Sequence, residues 1–236
     1  MIITIDGPAG SGKSTAARKL AARLGIPYLD TGAMYRAVTL AALEDGVDWR
    51  DEDAKTRVAD EADFELDCGP THVRVTMRGR DVSEEIRSMR VNEHTRFMAA
   101  SPGVRAVLVE KQRELGKKLE TLATEGRDQG SVVFPEAEFK FFMDASAEKR
   151  AERRLIELQS DGEDASYEEV LANMRSRDRT DSQRAVGPLV IPNGAIVIET
   201  SALTIGQVVE RLLDELRRGG VDTSVFNRNP ASKRTS

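Results

Sequence analysis

Residues 7–15 read GPAGSGKST, and this stretch decides how the rest of the chain is interpreted. It fits the pattern G-x-x-x-x-G-K-[ST], whose glycines let backbone N–H groups turn inward around a phosphate chain. The β-branched run at residues 2–5 predicts a buried strand before it, and apolar residues at helical spacing predict a helix over residues 14–24. Because the pattern lies between a strand and a helix, it predicts a phosphate-binding loop rather than a glycine turn of purely structural use.

The residues of this loop have expected roles. Lys13 is predicted to reach the β- and γ-phosphate oxygens of a nucleoside triphosphate, and Ser14 to hold Mg²⁺. The first turn of the following helix adds the positive end of its dipole to the same anion. The residues predicted to bind the nucleotide are Gly7, Pro8, Ala9, Gly10, Ser11, Gly12, Lys13, Ser14 and Thr15.

Composition limits the remaining possibilities. The 236 residues, 39% of them hydrophobic, are enough for one sizeable core with a small insertion. A formal net charge of −5 provides no general basic field for nucleic acid, so any anion site must be local. One cysteine, Cys68, and two histidines cannot form an intramolecular disulfide or a Cys/His zinc cluster. Since the sequence contains neither a signal-peptide pattern nor a membrane-spanning stretch, we expect a cytoplasmic protein.

Short apolar runs at residues 28–29, 122–123, 139–143 and 195–198 alternate with longer helical stretches. This alternation predicts a doubly wound α/β fold with a parallel sheet and helices on both faces. Residues 72–77 instead alternate at period two and end in a polar turn, so we expect a small β insertion between about residues 60 and 83. Residues 160–164 and the tail 219–236 are polar enough to be mobile.

The residues beyond the loop distinguish two classes of nucleotide-binding protein. No Asp-x-x-Gly and no Asn-Lys-x-Asp motif occurs, which argues against a switch GTPase. Arginines occur instead, among them Arg36, Arg105 and Arg127. Positive charge around the transferred group is what phosphoryl transfer requires. Arg127 follows a predicted strand, on the side of the sheet where ligands of open α/β folds bind.

Two further arginine groups lie on predicted helices. The first is Arg150, Arg153 and Arg154, and the second is Arg177 and Arg184 with Asp181 between them. The first group shares one face of a helix that begins near residue 147 and could close over phosphates as a lid, or could form ordinary surface pairs with neighbouring glutamates. The second group also shares one helix face, where Asp181 could merely bridge the two arginines.

Together these residues resemble the bacterial cytidylate kinase family, whose members phosphorylate CMP and dCMP with ATP as donor. The resemblance covers residues 2–216. It is carried by the glycine loop, LDTGAMYR at 29–36, DVS at 81–83 with IR at 86–87, GRD at 126–128, VVFP at 132–135, and RAV at 184–186 with PL at 188–189. Many families share the glycine loop, but the last two blocks together are specific to this family.

The resemblance implies a P-loop NTPase three-layer fold in residues 1–218. Within it, a β-containing insertion at about residues 31–105 would bind the nucleoside monophosphate, and a short helical lid would occupy about residues 147–185. ATP as co-substrate and Mg²⁺ as cofactor are also implied, with free nucleotides as partners rather than nucleic acid or a membrane. A monomer is expected, with residues 219–236 as a flexible tail.

Carried over position by position, the resemblance also implies roles for single residues. The expected catalytic residues are Lys13, Arg127, Arg150, Arg153 and Arg154. The expected substrate-binding residues are Thr31, Arg105, Asp128 and Arg184 toward the cytosine, Arg36 and Arg127 toward the CMP phosphate, and Arg177 with Asp181 toward the sugar.

Cytosine chemistry agrees with these expectations. Its N4 donates hydrogen bonds while N3 and O2 accept them, so the Asp128 carboxylate suits N4, whereas uracil would aim O4 at the same carboxylate. We therefore expect CMP to be preferred over UMP. The sequence departs from the family at Arg96, where relatives usually carry a serine thought to touch the sugar, so deoxyribose recognition stays open. It departs again at Glu125, where an aspartate is usual.

Two other functions agree with part of the pattern. A P-loop kinase for UMP or a non-nucleotide alcohol would share the glycine loop, but the Arg127–Asp128 and Arg177–Asp181–Arg184 groups argue against it. A regulator that uses ATP only to change shape would hydrolyse ATP slowly and ignore nucleoside monophosphates.

Overall fold

Two β-sheets organise the part of the chain that the computed structural model describes, residues 1–160 and 162–224. A five-stranded parallel sheet has the strand order β2-β6-β1-β7-β8, and a three-stranded antiparallel sheet has the order β3-β4-β5. The strands are β1 (Ile2–Asp6), β2 (Tyr28–Asp30), β3 (Phe64–Cys68), β4 (Val73–Met77), β5 (Arg80–Asp81), β6 (Leu122–Gly126), β7 (Phe139–Asp144) and β8 (Ile196–Glu199).

Helices connect these strands. They are α1 (Lys13–Leu24), α2 (Thr31–Glu44), α3 (Glu52–Glu61), α4 (Met89–Ala100), α5 (Pro102–Leu119), α6 (Ala147–Ser160), α7 (Tyr167–Ser182) and α8 (Ile205–Arg218). A short 3-10 turn occupies Glu85–Arg87 and a π-helical turn occupies Gln129–Val133. Side chains cap several helices: Asp30 Oδ1 accepts from the Ala33 N–H at the start of α2, 2.9 Å away.

The parallel sheet is covered on both faces. Ile3 and Ile5 of β1 pack with the apolar sides of α1 and α8 in one buried cluster. Ile2 packs against Val109 of α5 in a different cluster, because successive residues of a strand point to opposite faces. The helices α2 and α5 pack with the small antiparallel sheet in a third cluster, which joins that sheet to the main body.

The strand register brings the carboxyl ends of the central strands to one edge. Asp6, the last residue of β1, lies opposite Gly126 of β6, and Asp30 of β2 lies opposite Glu125. The glycine loop follows β1 at this edge. Side chains that follow β2 and β6 are therefore brought close to the loop, as expected for an open α/β sheet.

The predicted fold class is confirmed. The predicted strands are β2, β6, β7 and β8, the predicted first helix is α1, and the period-two segment forms the antiparallel sheet. Of the two segments predicted to be mobile, Asp161 and residues 225–236 lie outside the described residues. Residues 219–224 are hydrogen-bonded to the end of α8: Val221 N–H donates to Leu216 O and Arg217 Nε donates to Thr223 Oγ1, each at 3.0 Å. No helix in residues 1–160 and 162–224 combines the length and apolarity needed to cross a membrane.

Candidate active site at the carboxyl edge of the sheet

The glycine loop, residues 7–15, is shaped by close packing and by left-handed backbone. A Cβ atom at Gly7 would overlap the carbonyl oxygen of Met143 in β7, so the loop can lie against the sheet only with glycine there. Gly12, directly before α1, has φ 86°, a conformation that side chains other than glycine rarely adopt. Because glycine has no capping side chain, the first N–H groups of α1 are left for an anion.

Lys13 lies in the centre of this loop and is buried. Its Nζ donates to Pro8 O at 3.2 Å and lies 4.0 Å from Glu125 Oε2. Burial, together with the nearby positive charges of Arg127 and Arg177, lowers the pKa of Lys13 to about 7, although Glu125 and Asp181 act in the opposite direction. The loop lysine and two of the predicted substrate arginines therefore share one electrostatic environment.

Two arginines of α6 contact the glycine loop from outside. Arg150, only 4% exposed, donates from Nη1 to Ala9 O at 3.0 Å and from Nε to Ala145 O at 2.9 Å. It also forms a bidentate pair with Asp178 of α7, at 3.0 and 2.6 Å. Arg150 thus connects the loop to α7 and has no exposed guanidinium face, which differs from the lid face predicted for it.

The other two arginines of that group differ from Arg150 and from each other. Arg153 donates to Ser11 O at 3.5 Å and to Thr200 O, which follows β8. It borders a cleft beside the loop that Thr15, Leu203 and other residues also line. Arg154 is half exposed and pairs with Glu157 at 3.1 Å, as the surface-pair alternative predicted. The structure therefore separates three arginines that the helical spacing had grouped together.

A second set of charges faces the loop from the end of β6 and from α7. Arg127 Nε donates to Asp181 Oδ2 at 2.7 Å, and Arg184 donates to Asp181 Oδ1. Burial acts to raise the pKa of Asp181, but Arg127 and Arg184 outweigh it and hold that pKa below its ordinary value. Asp181 does bridge two arginines, but its partners are Arg127 and Arg184 rather than Arg177 and Arg184.

Arg177 has no ion pair or side-chain hydrogen bond among residues 1–160 and 162–224. Arg177 is an exposed residue of α7, and partial desolvation of its guanidinium with the neighbouring charge of Arg127 lowers its pKa, to which Arg154 and Arg184 add while Asp181 acts in the opposite direction. Arg177 is therefore a cation without an ion pair in the described part of the chain, close to Lys13 and to the paired Arg127, and it favours binding of an anion there.

Arg105 of α5 and Asp128 form a buried ion pair next to this set. Both side chains are less than one-tenth exposed, and Arg105 Nη2 donates to Asp128 Oδ2. Burial raises the pKa of Asp128, against the lowering effect of Arg105, Arg184 and Arg127. Arg105 Nε is buried and has no hydrogen-bond partner in the described part of the chain, and the ring of Tyr35 lies 5.8 Å from the guanidinium carbon. A donor without a partner at such a place is a position for a ligand acceptor.

A third group surrounds Asp30 at the end of β2. Arg36 Nη2 lies 3.0 Å from Asp30 Oδ2 and Arg87 Nη2 lies 3.4 Å from the same oxygen. Arg36 Nε is buried and lacks a partner among the described residues. Thr31, the first residue of α2, donates its hydroxyl to Glu125 O at 2.7 Å and so connects α2 to β6.

The predicted residues therefore gather at one edge of the sheet. The structure places further residues there that the sequence did not single out. Arg87 was part of a quoted sequence block but was given no role, and only its position beside Arg36 indicates one. Asp178 and Thr200 had no signal in the sequence, since each acts on an arginine that is distant along the chain. Arg96 lies exposed on α4 with its guanidinium carbon 4.8 Å from the centre of the Phe97 ring.

The fold and this edge define the class of protein. A parallel sheet in which β1 runs into a glycine loop, a buried lysine and an uncapped helix belongs to the P-loop nucleotide-binding proteins. A family model described as cytidylate kinase matches residues 3–218. The chain belongs to the cytidylate kinase family.

Relatives with curated names agree with this assignment. The chain is 47% identical to a cytidylate kinase of Caldanaerobacter subterraneus subsp. tengcongensis, over 92% of this chain and 94% of that one. It is 45% identical to a cytidylate kinase of Carboxydothermus hydrogenoformans, over 92% and 98% of the two chains. Among solved structures, an uncharacterized protein from Eubacterium ventriosum matches with a TM-score of 0.50 at 14% identity, over 92% of this chain and 98% of that chain, which is a likeness of fold alone.

Proposed function

We propose that this protein transfers the γ-phosphoryl group of ATP to CMP or dCMP, which gives CDP or dCDP and ADP. The observation that carries the proposal is the position of Lys13 of the glycine loop beside the end of β6, where its Nζ lies 4.0 Å from Glu125 Oε2, two residues before Arg127, and where the charges of Arg127 and Arg177 also act on it. A donor phosphate chain and an acceptor phosphate would both need positive charge at this point. Family membership supports the same reaction.

The donor side consists of the loop and the cleft beside it. Backbone N–H groups of residues 7–15 and the start of α1 would hold the β- and γ-phosphates. Lys13 would stay close to the transferred phosphoryl group and stabilise its negative charge. The cleft bordered by Arg153, Thr15 and Leu203 lies next to the loop and suits the base and ribose of ATP. We assign ATP rather than another triphosphate on the family resemblance.

The residues at the loop fit Mg²⁺ as a cofactor that arrives with the nucleotide. Within the described residues, no group of three or more His, Cys, Asp or Glu side chains could hold a metal ion by itself. Ser14 at the first turn of α1 offers an exposed hydroxyl, and Glu125 offers a buried carboxylate 4.0 Å from Lys13 Nζ. Hydroxyl, phosphate and water oxygens are the donors Mg²⁺ prefers, and the ion would neutralise charge on the phosphates.

The acceptor side would hold CMP between α2, β6 and α7. Arg36 and Arg127 would bind its phosphate, and the unpartnered Nε of Arg36 supports this. We add Arg87 to this group because it shares Asp30 with Arg36. Arg177 and Asp181 would contact the sugar.

The cytosine would lie against Arg105, Asp128, Arg184 and Thr31. Asp128 would accept from N4, and the free Nε of Arg105 could donate to N3 or O2. Arg105 and Asp128 bond to each other, so their buried charges are paired. Uracil would place O4 against Asp128 and leave one buried acceptor facing another, which costs about 1 to 3 kcal/mol.

The chemistry needs little from the protein beyond alignment and charge. An oxygen of the CMP phosphate attacks the γ-phosphorus, and the bond from that phosphorus to the bridging oxygen of ADP breaks on the opposite side. The attacking oxygen is already ionised, so no general base is required. Lys13 and Arg127 would stabilise the charge that spreads over the transferred group.

We also propose how the chain divides between these tasks. Residues 1–218 would act as one kinase domain, with residues 31–105 as the acceptor-binding insertion and residues 147–185 as the lid that excludes water. Within the lid, Arg153 would face phosphate and Arg154 would face solvent. The contacts of Arg150 with Ala9 and Asp178 support a role in positioning the glycine loop. We expect a cytoplasmic protein that acts on free nucleotides. We also expect a monomer, and size-exclusion chromatography coupled to light scattering can test this oligomeric state.

A single assay separates this function from its alternatives. Purified protein is offered ATP and Mg²⁺ with CMP, dCMP, UMP, AMP or GMP in turn, and nucleoside diphosphate is measured. We expect rapid formation of CDP and dCDP and much slower formation of UDP. Fast turnover with UMP alone would indicate the other kinase, and slow ATP hydrolysis that no monophosphate accelerates would indicate the regulator.

A further inference from the structure

Asp6 is a buried carboxylate that neither the glycine-loop motif nor the substrate contacts explain. It is the last residue of β1, directly before Gly7, and it is completely buried. Its Oδ1 accepts from the Gln129 N–H at 2.8 Å, and its Oδ2 accepts from the Gly130 N–H at 2.7 Å. No lysine or arginine pairs with it among the described residues. Both oxygens of an uncompensated buried acid are therefore used for one backbone segment.

That segment follows the two acceptor-binding residues. Residues 126–130, which we name the acceptor turn, contain Arg127 and Asp128 and lead into the π-helical turn Gln129–Val133. The Asp128 carbonyl accepts from the N–H groups of Val132 and Val133, at 2.9 and 3.1 Å. The N–H groups of Gln129 and Gly130 stand at the start of this turn, where no intrahelical acceptor is available, and Asp6 supplies one from a neighbouring strand.

The geometry connects the two substrate sites through one side chain. Asp6 continues directly into the glycine loop, and its carboxylate holds the backbone immediately after Arg127 and Asp128. We propose that Asp6 is a positioning residue that sets the acceptor turn, and with it Arg127 and Asp128, relative to the phosphate-binding loop. This inference rests on the proposed function, because it assumes that the two segments bind the two substrates.

The carboxyl group of Asp6 suits this role because it has two oxygens. Two acceptor oxygens match two N–H donors, whereas an asparagine would match one donor and turn its NH₂ toward the other. Burial, with the nearby carboxylates of Asp128 and Glu125 adding to it, raises the pKa of Asp6 to about 7 despite the two N–H donors. The shift means that folding makes the Asp6 carboxyl hold a proton more readily than it does in the unfolded chain.

A second set of bonds keeps the acceptor turn folded independently of Asp6. The Gln129 side chain donates to Gln112 Oε1 of α5 at 3.0 Å and accepts from Thr124 Oγ1 at 3.1 Å. We therefore expect Asp6→Asn to leave the fold in place and to shift only the aim of Arg127 and Asp128. Small displacements of groups around a transferred phosphoryl are costly, up to about a hundredfold in rate for about 1 Å.

The test compares Asp6→Asn with Thr4→Val, a control in the same strand whose hydroxyl is buried and makes no hydrogen bond among the described residues. For Asp6→Asn we expect kcat to fall by about a hundredfold and the CMP-over-UMP preference to decrease by about tenfold. ATP affinity, measured by equilibrium binding, should stay within about threefold of wild type. Thr4→Val should keep all these values.

Two further measurements decide the outcome. In an Arg127→Met background, Asp6→Asn should cost much less than alone, since the group that it positions is gone. Full additivity, or an Asp6→Asn enzyme with wild-type kcat and base preference, overturns the inference. If Asp6→Asn does not fold, Asp6→Ser, which keeps one acceptor, takes its place in the same comparison. If wild type and Thr4→Val also fail to form CDP, the proposed function has failed rather than this inference.

Discussion

The donor and acceptor sides of the site are built in opposite ways. The donor side is one contiguous stretch, residues 7–15, whose shape follows from glycine backbone conformations and from packing on β7. The proposed acceptor side takes Arg36 from α2, Arg105 from α5, Asp128 from just after β6 and Asp181 from α7. A local motif can be recognised in a sequence, whereas a site assembled across the fold is visible only as scattered charges.

The two sides also use charge differently. On the proposed donor side, the buried cation within the loop is Lys13, with Glu125 as its nearest counter-charge, and the buried Arg150 that contacts the loop is paired with Asp178. The acceptor side contains pairs that neutralise each other before any ligand binds, Arg105 with Asp128 and Asp181 with Arg127. We therefore expect changes on the donor side to affect rate for every acceptor and changes on the acceptor side to affect the choice of acceptor.

The largest effect is expected for Lys13→Met. Loss of Lys13, which we propose reaches the phosphates, should lower kcat by about a thousandfold, about 4 kcal/mol of transition-state stabilisation, with CMP and UMP affected equally. The free energy of unfolding should not fall, since a buried ammonium is removed. Steady-state kinetics and chemical denaturation measure both. Lys19→Met, at an exposed position of the same helix, is the control, and a larger loss for one acceptor than for the other would contradict the separation of the two sides.

Arg150→Met tests the connection between the two sides. The substitution leaves Asp178 and the Ala9 carbonyl without their donor, so we expect the free energy of unfolding to fall by about 3 kcal/mol and the KM for ATP to rise. Arg154→Met removes only a half-exposed pair and should cost less than about 1 kcal/mol. Denaturation curves of the two variants provide the comparison. Equal stability losses would mean that Arg150 is another surface arginine.

Asp128→Ala tests selectivity on the acceptor side. Without the carboxylate that we propose accepts a hydrogen bond from N4, the preference for CMP over UMP should decrease by roughly 5- to 150-fold, which corresponds to about 1 to 3 kcal/mol. ATP binding should be unchanged. The measurement is the ratio of kcat/KM for the two acceptors, with Glu136→Ala at an exposed position as control. Equal losses for CMP and UMP would remove Asp128 from base recognition.

The smallest predicted effect is the pH dependence of the free energy of unfolding that Asp6, the residue between the two sides, contributes. Burial raises the pKa of Asp6 from 3.8 to about 7, so the folded state holds this proton more tightly than the unfolded state. The stabilisation is complete below the unfolded value and is lost as pH rises through the folded value. Asparagine carries no such proton. As the pH rises from about 6 to about 7.5, the free energy of unfolding of the wild type should therefore fall by about 1 kcal/mol relative to that of Asp6→Asn.

Denaturation at the two pH values measures this shift, and Thr4→Val should follow the wild type. A constant difference between Asp6→Asn and wild type would mean that Asp6 does not titrate in this range. The kinetic comparison proposed above would then still stand, because it depends on the two hydrogen bonds rather than on the proton.

Much of the fold could be predicted from local pattern. The β-branched run before Gly7, the apolar spacing of α1 and the period-two alternation of β4 each express a short-range preference, and the structure confirms them. The aim of the side chains could not be predicted in the same way. Arg150, Arg153 and Arg154 share one helix face, yet they contact Ala9, Thr200 and Glu157 respectively, because three different surroundings pack around α6.

Asp181 shows the limit of helical spacing. Its separation from Arg177 and Arg184 left a bridge between those two as one alternative, but in the fold it pairs with Arg184 and with Arg127, which is 54 residues away, and not with Arg177. On any helix, residues at helical spacing lie close enough to pair. Where folding removes a carboxylate from water, pairing with a buried arginine offsets more of the desolvation cost than pairing with an exposed one.

By itself, the sequence determined the class of fold and the donor loop, because glycine conformations, strand and helix periodicity and the loop lysine all act over a few adjacent residues. Only the tertiary structure decided which arginine each carboxylate meets, that Arg150 faces the glycine loop, and that Asp6 receives the backbone of the acceptor turn. Those contacts depend on which strands lie side by side, and that order arises when the sheet and its covering helices bury one common core.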